Sequence, residues 1–159
     1  MDAVHPRVLG YLGRALSLEL TAVQQYMTQA SLVDLWGDQA SADRFRSETV
    51  EELQHAERIV QRMLSLGVAP AASQLQPSTH AADLVGLLEQ NAELEQQLVD
   101  HYSEASRFCT LINDRDNGAF FSGLLEDEQH HSRDLEAWLT ELGGRRNPGY
   151  RRYGGRASF

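Results

Sequence analysis

The sequence predicts an all-α fold, a four-helix bundle with one long crossover between the second and third helices. Three observations carry that expectation. Apolar residues recur every three or four positions through four stretches, each close to the length of a bundle helix. Only four Pro and twelve Gly punctuate 159 residues, which suits long helices better than a turn-rich β fold. No alternating segment of β-branched residues competes with the helical period.

The first helix opens at Pro6, a good first-turn residue, and runs to about Leu35, before Gly37. Its seam is Leu12, Leu16, Glu19, Val23, Tyr26, Ala30 and Val33. The second runs from about Asp38 or Ser41 to Leu66 and stops at Gly67, with the seam Phe45, Thr49, Glu52, Ala56, Ile59, Met63 and Leu66. The third is expected to begin after a cap at Ser78-Thr79 and to reach about Ile112. Its seam is Leu84, Leu88, Ala92, Glu95, Val99, Tyr102, Ser106 and Cys109. The polar stretch 113–118 separates it from the fourth helix, which ends at Leu142. That seam is Phe121, Leu125, Glu128, Ser132, Leu135, Leu139 and Leu142. One glutamate interrupts the middle of each seam.

Short connections near Gly37 and Gly118 make adjacent helices antiparallel. The thirteen residues 67–79 are rich in Ala, Pro, Ser and Gln and lack periodicity. Fully extended they reach about 43–47 Å, against about 42 Å for a 28-residue helix. They are just long enough to cross the bundle from end to end.

Composition bounds the function. The lone cysteine, Cys109, excludes an internal disulfide and fits a reducing compartment. No apolar run approaches the roughly 18 residues of a membrane span, and the N-terminus lacks a basic-then-apolar leader. A cytoplasmic protein with no membrane partner is expected. All 14 basic residues are Arg, and five of them lie beyond Gly144, where no acid occurs. Residues 1–144 therefore carry 9 Arg against 23 acids, or −14, and residues 145–159 carry +5. Such an acidic body argues against nucleic-acid binding and suits a protein that concentrates cations. The expected division is a bundle over 1–144 and an Arg-rich, non-helical tail over 145–159.

Two Glu-x-x-His pairs occur, Glu52/His55 and Glu128/His131. With 13 Glu and 6 His, roughly 0.5 such matches arise by chance, so one pair alone means little. The wider pattern is specific. Glu19 precedes Glu52 by the same interval that separates Glu95 from Glu128. The triplets Glu19/Glu52/His55 and Glu95/Glu128/His131 are therefore related, residue by residue, by a single offset. Tyr26/Tyr102, Ile59/Leu135, Met63/Leu139, Leu66/Leu142 and Gly67/Gly143 share that offset. The chain is a twofold repeat of a helical hairpin. Residues three apart share a helix face, so folding the repeat on itself gathers four carboxylates and two imidazoles in the core. Uncompensated, that burial is very costly. Two divalent cations cancel the four negative charges. Few ligands per metal and a mixed oxygen and nitrogen set suit redox-active iron better than calcium or a closed zinc site. Removing Glu19 or Glu128 is expected to slow iron oxidation while relieving repulsion in the metal-free chain.

The stretch Leu16-Ser-Leu-Glu-Leu-Thr-Ala-Val-Gln-Gln-Tyr26, with Glu52-Leu-Gln-His55 and Glu128-Gln-His-His131, resembles bacterioferritin, a ferritin-like bundle. The likeness covers about residues 5–142. It implies iron storage and detoxification by a ferroxidase that oxidises Fe(II) with dioxygen or hydrogen peroxide at a di-iron centre inside each subunit. It also implies ferric mineral held in a homo-oligomeric cage, of twenty-four subunits by resemblance. On that likeness Glu19 and Glu95 are terminal ligands, Glu52 and Glu128 bridge the irons, and His55 and His131 each give one nitrogen. Tyr26 matches a tyrosine beside the centre, an electron donor or hydrogen-bonding partner, with core packing as the ordinary alternative. The other readings are a di-iron peroxidase or oxygenase of the same superfamily, and a cage or cargo protein acting through its tail.

Three departures stand out. The family holds haem b between subunits through a methionine where this chain has Leu53, which offers no ligating atom. Haem is then expected only through a second, methionine-bearing subunit in a mixed shell. An auxiliary His and Asp iron site of some members falls on Ser47 and Glu51 and is weakened. A short fifth helix is replaced by residues 145–159, where Pro148 and three glycines oppose a helix. A solvated end, a pore lining and a docking peptide are its alternatives. Cys109, Met27 and Met63 are expected in core or interface, Trp36 and Trp138 as packing anchors, and His130 at the surface. His5, His80 and His101 show no partner pattern.

Overall fold

The computed structural model describes residues 3–71 and 74–143. Four helices fill them, in the order α1 (Pro6–Leu35), α2 (Gln39–Ser65), α3 (Leu84–Leu111) and α4 (Arg115–Glu141), with no strand among the described residues. The tail expected over 145–159 lies outside the described residues.

Local chemistry sets the helix ends. Asp38 and Asp114 cap α2 and α4, accepting from the backbone N–H of Ser41 and Asn117. These caps are themselves related by the repeat offset. So are the two left-handed turn residues before them, Gly37 and Asn113, with φ of 86° and 58°. Asparagine tolerates that region best after glycine, which lets the second hairpin keep the first one's turn. Two expected boundaries are corrected. Asp83 caps α3 by accepting from Gly86 N–H at 2.8 Å, because α3 opens only at Leu84. Residues 78–79 still belong to the crossover, tied to α1 by the Thr79 hydroxyl donating to Gln25 Oε1 at 3.1 Å. The stretch 113–118 is mostly the first turn of α4 rather than a linker, because Asp114 holds both the backbone and the side-chain nitrogen of Asn117. Gly118 lies inside that turn, where a Cβ would come within 3.3 Å of Cys109 Cβ.

The crossover spans residues 66–83 and climbs α1 on side chains one helical turn apart. Ser17 accepts from Gln74 N–H, Thr21 from Gln76 N–H, and Gln25 from Thr79. It delivers α3 antiparallel to α1: Asn91 meets Gln25 and Gln29, while His101 meets Tyr11. The hairpins α1–α2 and α3–α4 are thus related by a pseudo-twofold axis across the bundle.

The core follows the expected seams with a small drift. Val23, Val99 and Leu125 are half-buried, and Ala22, Leu98 and Leu124 take the buried positions beside them. A straight helix turns about 20° per heptad away from a strict seven-residue pattern, which accounts for the shift. Leu142, at the end of α4, is exposed. Trp138 is an anchor, buried under the Arg44 guanidinium at 3.7 Å, whereas Trp36 is exposed at the end of α1. Cys109 and Met63 are core; Met27 is exposed. His101 is buried with Nε2 2.9 Å from the Tyr11 carbonyl, a partner no local pattern announces.

Three buried amides link α1 to α3. Gln25 Nε2 donates to Asn91 Oδ1 at 2.7 Å, and Asn91 Nδ2 donates to Gln29 Oε1 at 2.6 Å. Asn91→Ala strands one donor and one acceptor in the interior, at about 1–3 kcal/mol each. Urea unfolding of that variant is expected to show a loss of about 2–4 kcal/mol. An unchanged midpoint would mean that the amides do not hold the two hairpins together.

Candidate metal centre

Each helix delivers its central residues to one point at mid-bundle. Glu19 comes from α1, Glu52 and His55 from α2, Glu95 from α3, and Glu128 and His131 from α4. All four carboxylates are completely buried, and the two imidazoles nearly so. Ligand atoms of Glu52, His55, Glu128 and His131 lie within 4.8 Å of one another. His55 Nδ1 is 2.9 Å from Glu128, 3.1 Å from Glu52 and 3.7 Å from Glu19. His131 Nδ1 is 3.1 Å from Glu52 and 3.4 Å from Glu128. The imidazoles stack with centroids 5.4 Å apart, both turning Nδ1 inward. All six side chains expected from the repeat therefore converge.

Tyr26 and Tyr102 close the site from either end. The Tyr26 hydroxyl donates to Glu95 Oε1 at 2.5 Å, and the Tyr102 hydroxyl donates to Glu19 Oε1. Burial first, then the neighbouring carboxylates, pushes both phenols well above their ordinary range, so each keeps its proton and stays a donor. Each tyrosine occupies one oxygen of the opposite hairpin's glutamate. The second oxygens, Glu19 Oε2 and Glu95 Oε2, have no hydrogen-bond partner, and the two oxygens of Glu128 face the inward nitrogens of His55 and His131. Two orphaned oxygens, one at each end, with the buried carboxylates of Glu52 and Glu128 and two inward nitrogens between them, form a donor set suited to a pair of cations.

Without cations the charges sort themselves. Burial, then the charges of Glu52 and Glu128, pushes the Glu19 and Glu95 carboxyls well above the ordinary carboxylate range, favouring the protonated form. Burial also opposes charge on Glu52 and Glu128, but contacts from His131 and His55 outweigh it and hold both below the carboxylate range. Burial likewise opposes charge on His55, yet Glu128, Glu19 and Glu52 push it up to about 12, and His131 is raised in the same way. Two imidazolium rings thus balance the inner carboxylates Glu52 and Glu128.

Behind each histidine stands a further acid, which reading the motifs alone missed. His131 Nε2 lies 2.6 Å from Glu51 Oε2, and His55 Nε2 lies 3.6 Å from Asp127 Oδ2. A carboxylate on the outer nitrogen fixes the ring and makes Nδ1 a better ligand. The signal was present: Glu51 and Asp127 are also related by the repeat offset, each immediately before a repeat glutamate. Tyr102 carried the same signal, sharing its offset with Tyr26. Beyond these acids the repeat is broken. Arg58 ties Asp127 at 2.7 Å, but its counterpart in the second hairpin is Asp134. On the His131 side Glu48 and Asp134 line a narrow cleft with Tyr26 and Trp138. Burial pushes the Glu48 carboxyl up to about 7. One histidine therefore backs onto an ion pair and the other onto acid. His130 is exposed, 3.4 Å from Asp134.

Comparisons with known proteins agree with this geometry. The ferritin-like domain family matches residues 9–144. The bacterioferritin of Rhodobacter capsulatus is 31% identical over 134 residues, which cover 84% of this chain and 83% of that protein. The chain belongs to the bacterioferritin family. The bacterioferritin of Brucella melitensis is 31% identical over 86% of this chain and 85% of its own length. A solved structure of the Rhodobacter capsulatus bacterioferritin, described with a metal-free dinuclear site and haem iron in a crystallographic special position, superposes with a TM-score of 0.85. It is 30% identical and covers 89% of each chain. Within this bacterioferritin-family chain, Leu53 lies on the outer face of α2, 53% exposed, and Ser47 is also exposed. No helix among the described residues is long and apolar enough to cross a membrane.

Proposed function

We propose that the chain is an iron-storing ferroxidase of an oligomeric cage, acting on Fe(II) at the six-residue cluster in the middle of the bundle. The observation that carries this reading is the convergence of four buried carboxylates and two inward imidazole nitrogens on one point, with Glu19 Oε2 and Glu95 Oε2 left without a partner. Glu19 and Glu95 serve as end ligands, each aimed by the opposite hairpin's tyrosine. Glu52 and Glu128, which both approach the two histidines, lie between the substrate ions. His55 and His131 give one nitrogen each. Two Fe(II) ions supply two electrons, the number that reduces dioxygen to peroxide or peroxide to water. The tyrosines remain protonated hydrogen-bond donors in this scheme; Tyr26 has the role of a positioning residue.

The broken repeat gives the site a direction. Glu48, Glu51 and Asp134 draw cations to the His131 side, while the Arg58–Asp127 pair discourages them at the His55 side. The functional unit is the bundle over residues 1–144.

The test is anaerobic titration of the purified full chain with Fe(II), followed by exposure to dioxygen or peroxide. Binding of about two Fe(II) per chain is expected from the ligand set, followed by near-ultraviolet absorption of ferric iron. Saturation well below one ion per chain, with no ferric signal, would remove the ferroxidase reading and leave the cage.

A further inference from the structure

The internal repeat provides a control for the outer surface. On α1, Leu20, Val23, Met27 and Asp34 form one stripe at spacings of three, four and seven. On α2, Arg46, Val50, Leu53, Glu57, Val60 and Leu64 form another. Arg46 Nη2 bonds Asp34 Oδ2 at 2.9 Å, so the stripes lie side by side on one face of the first hairpin. Met27, Val50, Leu53 and Leu64 are each more than half exposed, and Leu20, Val23 and Val60 are partly so. Seven apolar side chains thus face outward.

The equivalent positions of the second hairpin, one repeat further along the chain, are Gln96, Val99, Ser103, Glu126, Gln129, Glu136 and Thr140. Six of the seven are polar. Inside the bundle the two hairpins keep matching partners, as in Leu12/Leu88, Phe45/Phe121 and Ile59/Leu135, all buried. The fold therefore does not need an apolar outer face on a hairpin. What the first hairpin has and the second lacks is a reason to cover that face.

We propose that the α1–α2 face closes against the same face of a second copy through hydrocarbon, and that this pair binds no haem. Two helices of about 40 Å by 10 Å present on the order of 800 Å² per partner, the size of a stable interface. A twofold pairing sets the middle of the face against its own copy. Leu53, near that middle, carries no donor atom. Met27, the one thioether on the face, lies two helical turns beyond Leu20, about 10 Å of helix, towards one end. The haem described for the relative therefore finds no axial ligand where this face would hold it. The proposal rests on the family assignment and is independent of ferroxidase activity.

The experiment expresses the full chain alone with excess haem precursor and reads particle mass and the haem Soret band without adding iron. The wild type is expected to be assembled and haem-free. Leu53→Met should gain one haem per pair of chains, with the spectrum of two thioether ligands. Leu53→Glu should lower the particle mass by burying two like charges at the contact, whereas Gln129→Glu, its counterpart on α4, should leave the mass unchanged. Stoichiometric haem in the wild type overturns the proposal, and its loss in Met27→Leu would show which sulfur supplied it. Unchanged mass in Leu53→Glu, or an assembled Leu53→Met that takes no haem, overturns the pairing of this face with itself.

Discussion

Glu128→Gln and Glu19→Gln are both expected to slow Fe(II) oxidation by more than about 100-fold, beyond the 10–100-fold typical of outer-sphere changes. Their metal-free stabilities should differ. Glu128 is ionised between two imidazolium rings, so its loss leaves their inward nitrogens to share the charge of Glu52, while Glu51 and Asp127 stay on the outer nitrogens. Breaking such a pair costs on the order of 3 kcal/mol, an upper bound because the rings can release protons, and lowers the melting temperature by roughly 10 °C. Glu19 is already protonated without metal, and a glutamine keeps an acceptor for Tyr102. Its stability should stay within about 0.5 kcal/mol of wild type. Charge counting on the sequence predicts relief of repulsion in both; the structure restricts near-neutrality to Glu19. The sign with pH follows from the shifts. The raised imidazoles stabilise fully below about 6.5 and lose that contribution as pH rises towards about 12. The lowered Glu128 stabilises fully above about 4.5 and loses it in acid. The deficit of Glu128→Gln should thus be largest between those values, measured by calorimetry on chelator-treated protein. Equal melting temperatures for the two variants would refute this charge arrangement.

Loading the centre with two divalent ions is expected to release about two protons or more per chain near neutral pH. Two come from the imidazolium rings, and the raised Glu19 and Glu95 carboxyls add to them, because a ligand must give up its proton to bind. Affinity for the pair of ions should then rise by about 10²-fold or more per pH unit and collapse in mild acid. Zn(II), which adds no redox step, can be titrated in weakly buffered solution with the pH held by a burette. Release of fewer than about one proton per chain would mean that the metal-free site is not protonated as described. Together with Asn91→Ala, Fe(II) stoichiometry and the haem series, these results separate fold, centre and assembly.

Much of the fold was legible in particular residues. Pro6, Asp38 and Gly67 mark helix ends by local backbone chemistry, and local chemistry is what a sequence displays. The candidate centre was legible for another reason. A glutamate in the middle of an apolar seam is costly enough to require an explanation, and the repeat offset gave all six residues the same one. Tyr102, Glu51 and Asp127 carried that offset too, but a tyrosine in a seam or an acid on an outer turn is ordinary until a partner faces it. The α3 cap was misplaced because 78–79 are held along α1, with Thr79 donating to Gln25 far back in the chain, so that the helix opens only at Leu84.

What the sequence by itself determined is what spacing along one helix sets: the four elements, the hairpin repeat, the buried face of each helix to within one residue and the six residues of the candidate centre. What only the tertiary structure decided is everything set between helices. It placed Tyr26 on Glu95 and Tyr102 on Glu19, so that each hairpin aims the other's ligand. It joined Gln25, Asn91 and Gln29 into a buried link, and it closed one histidine with an ion pair while leaving the other open to acid. Periodicity fixes the direction a side chain takes from its own helix. The identity of the group across a contact depends on how the long crossover sets one hairpin against the other, and no local pattern encodes that.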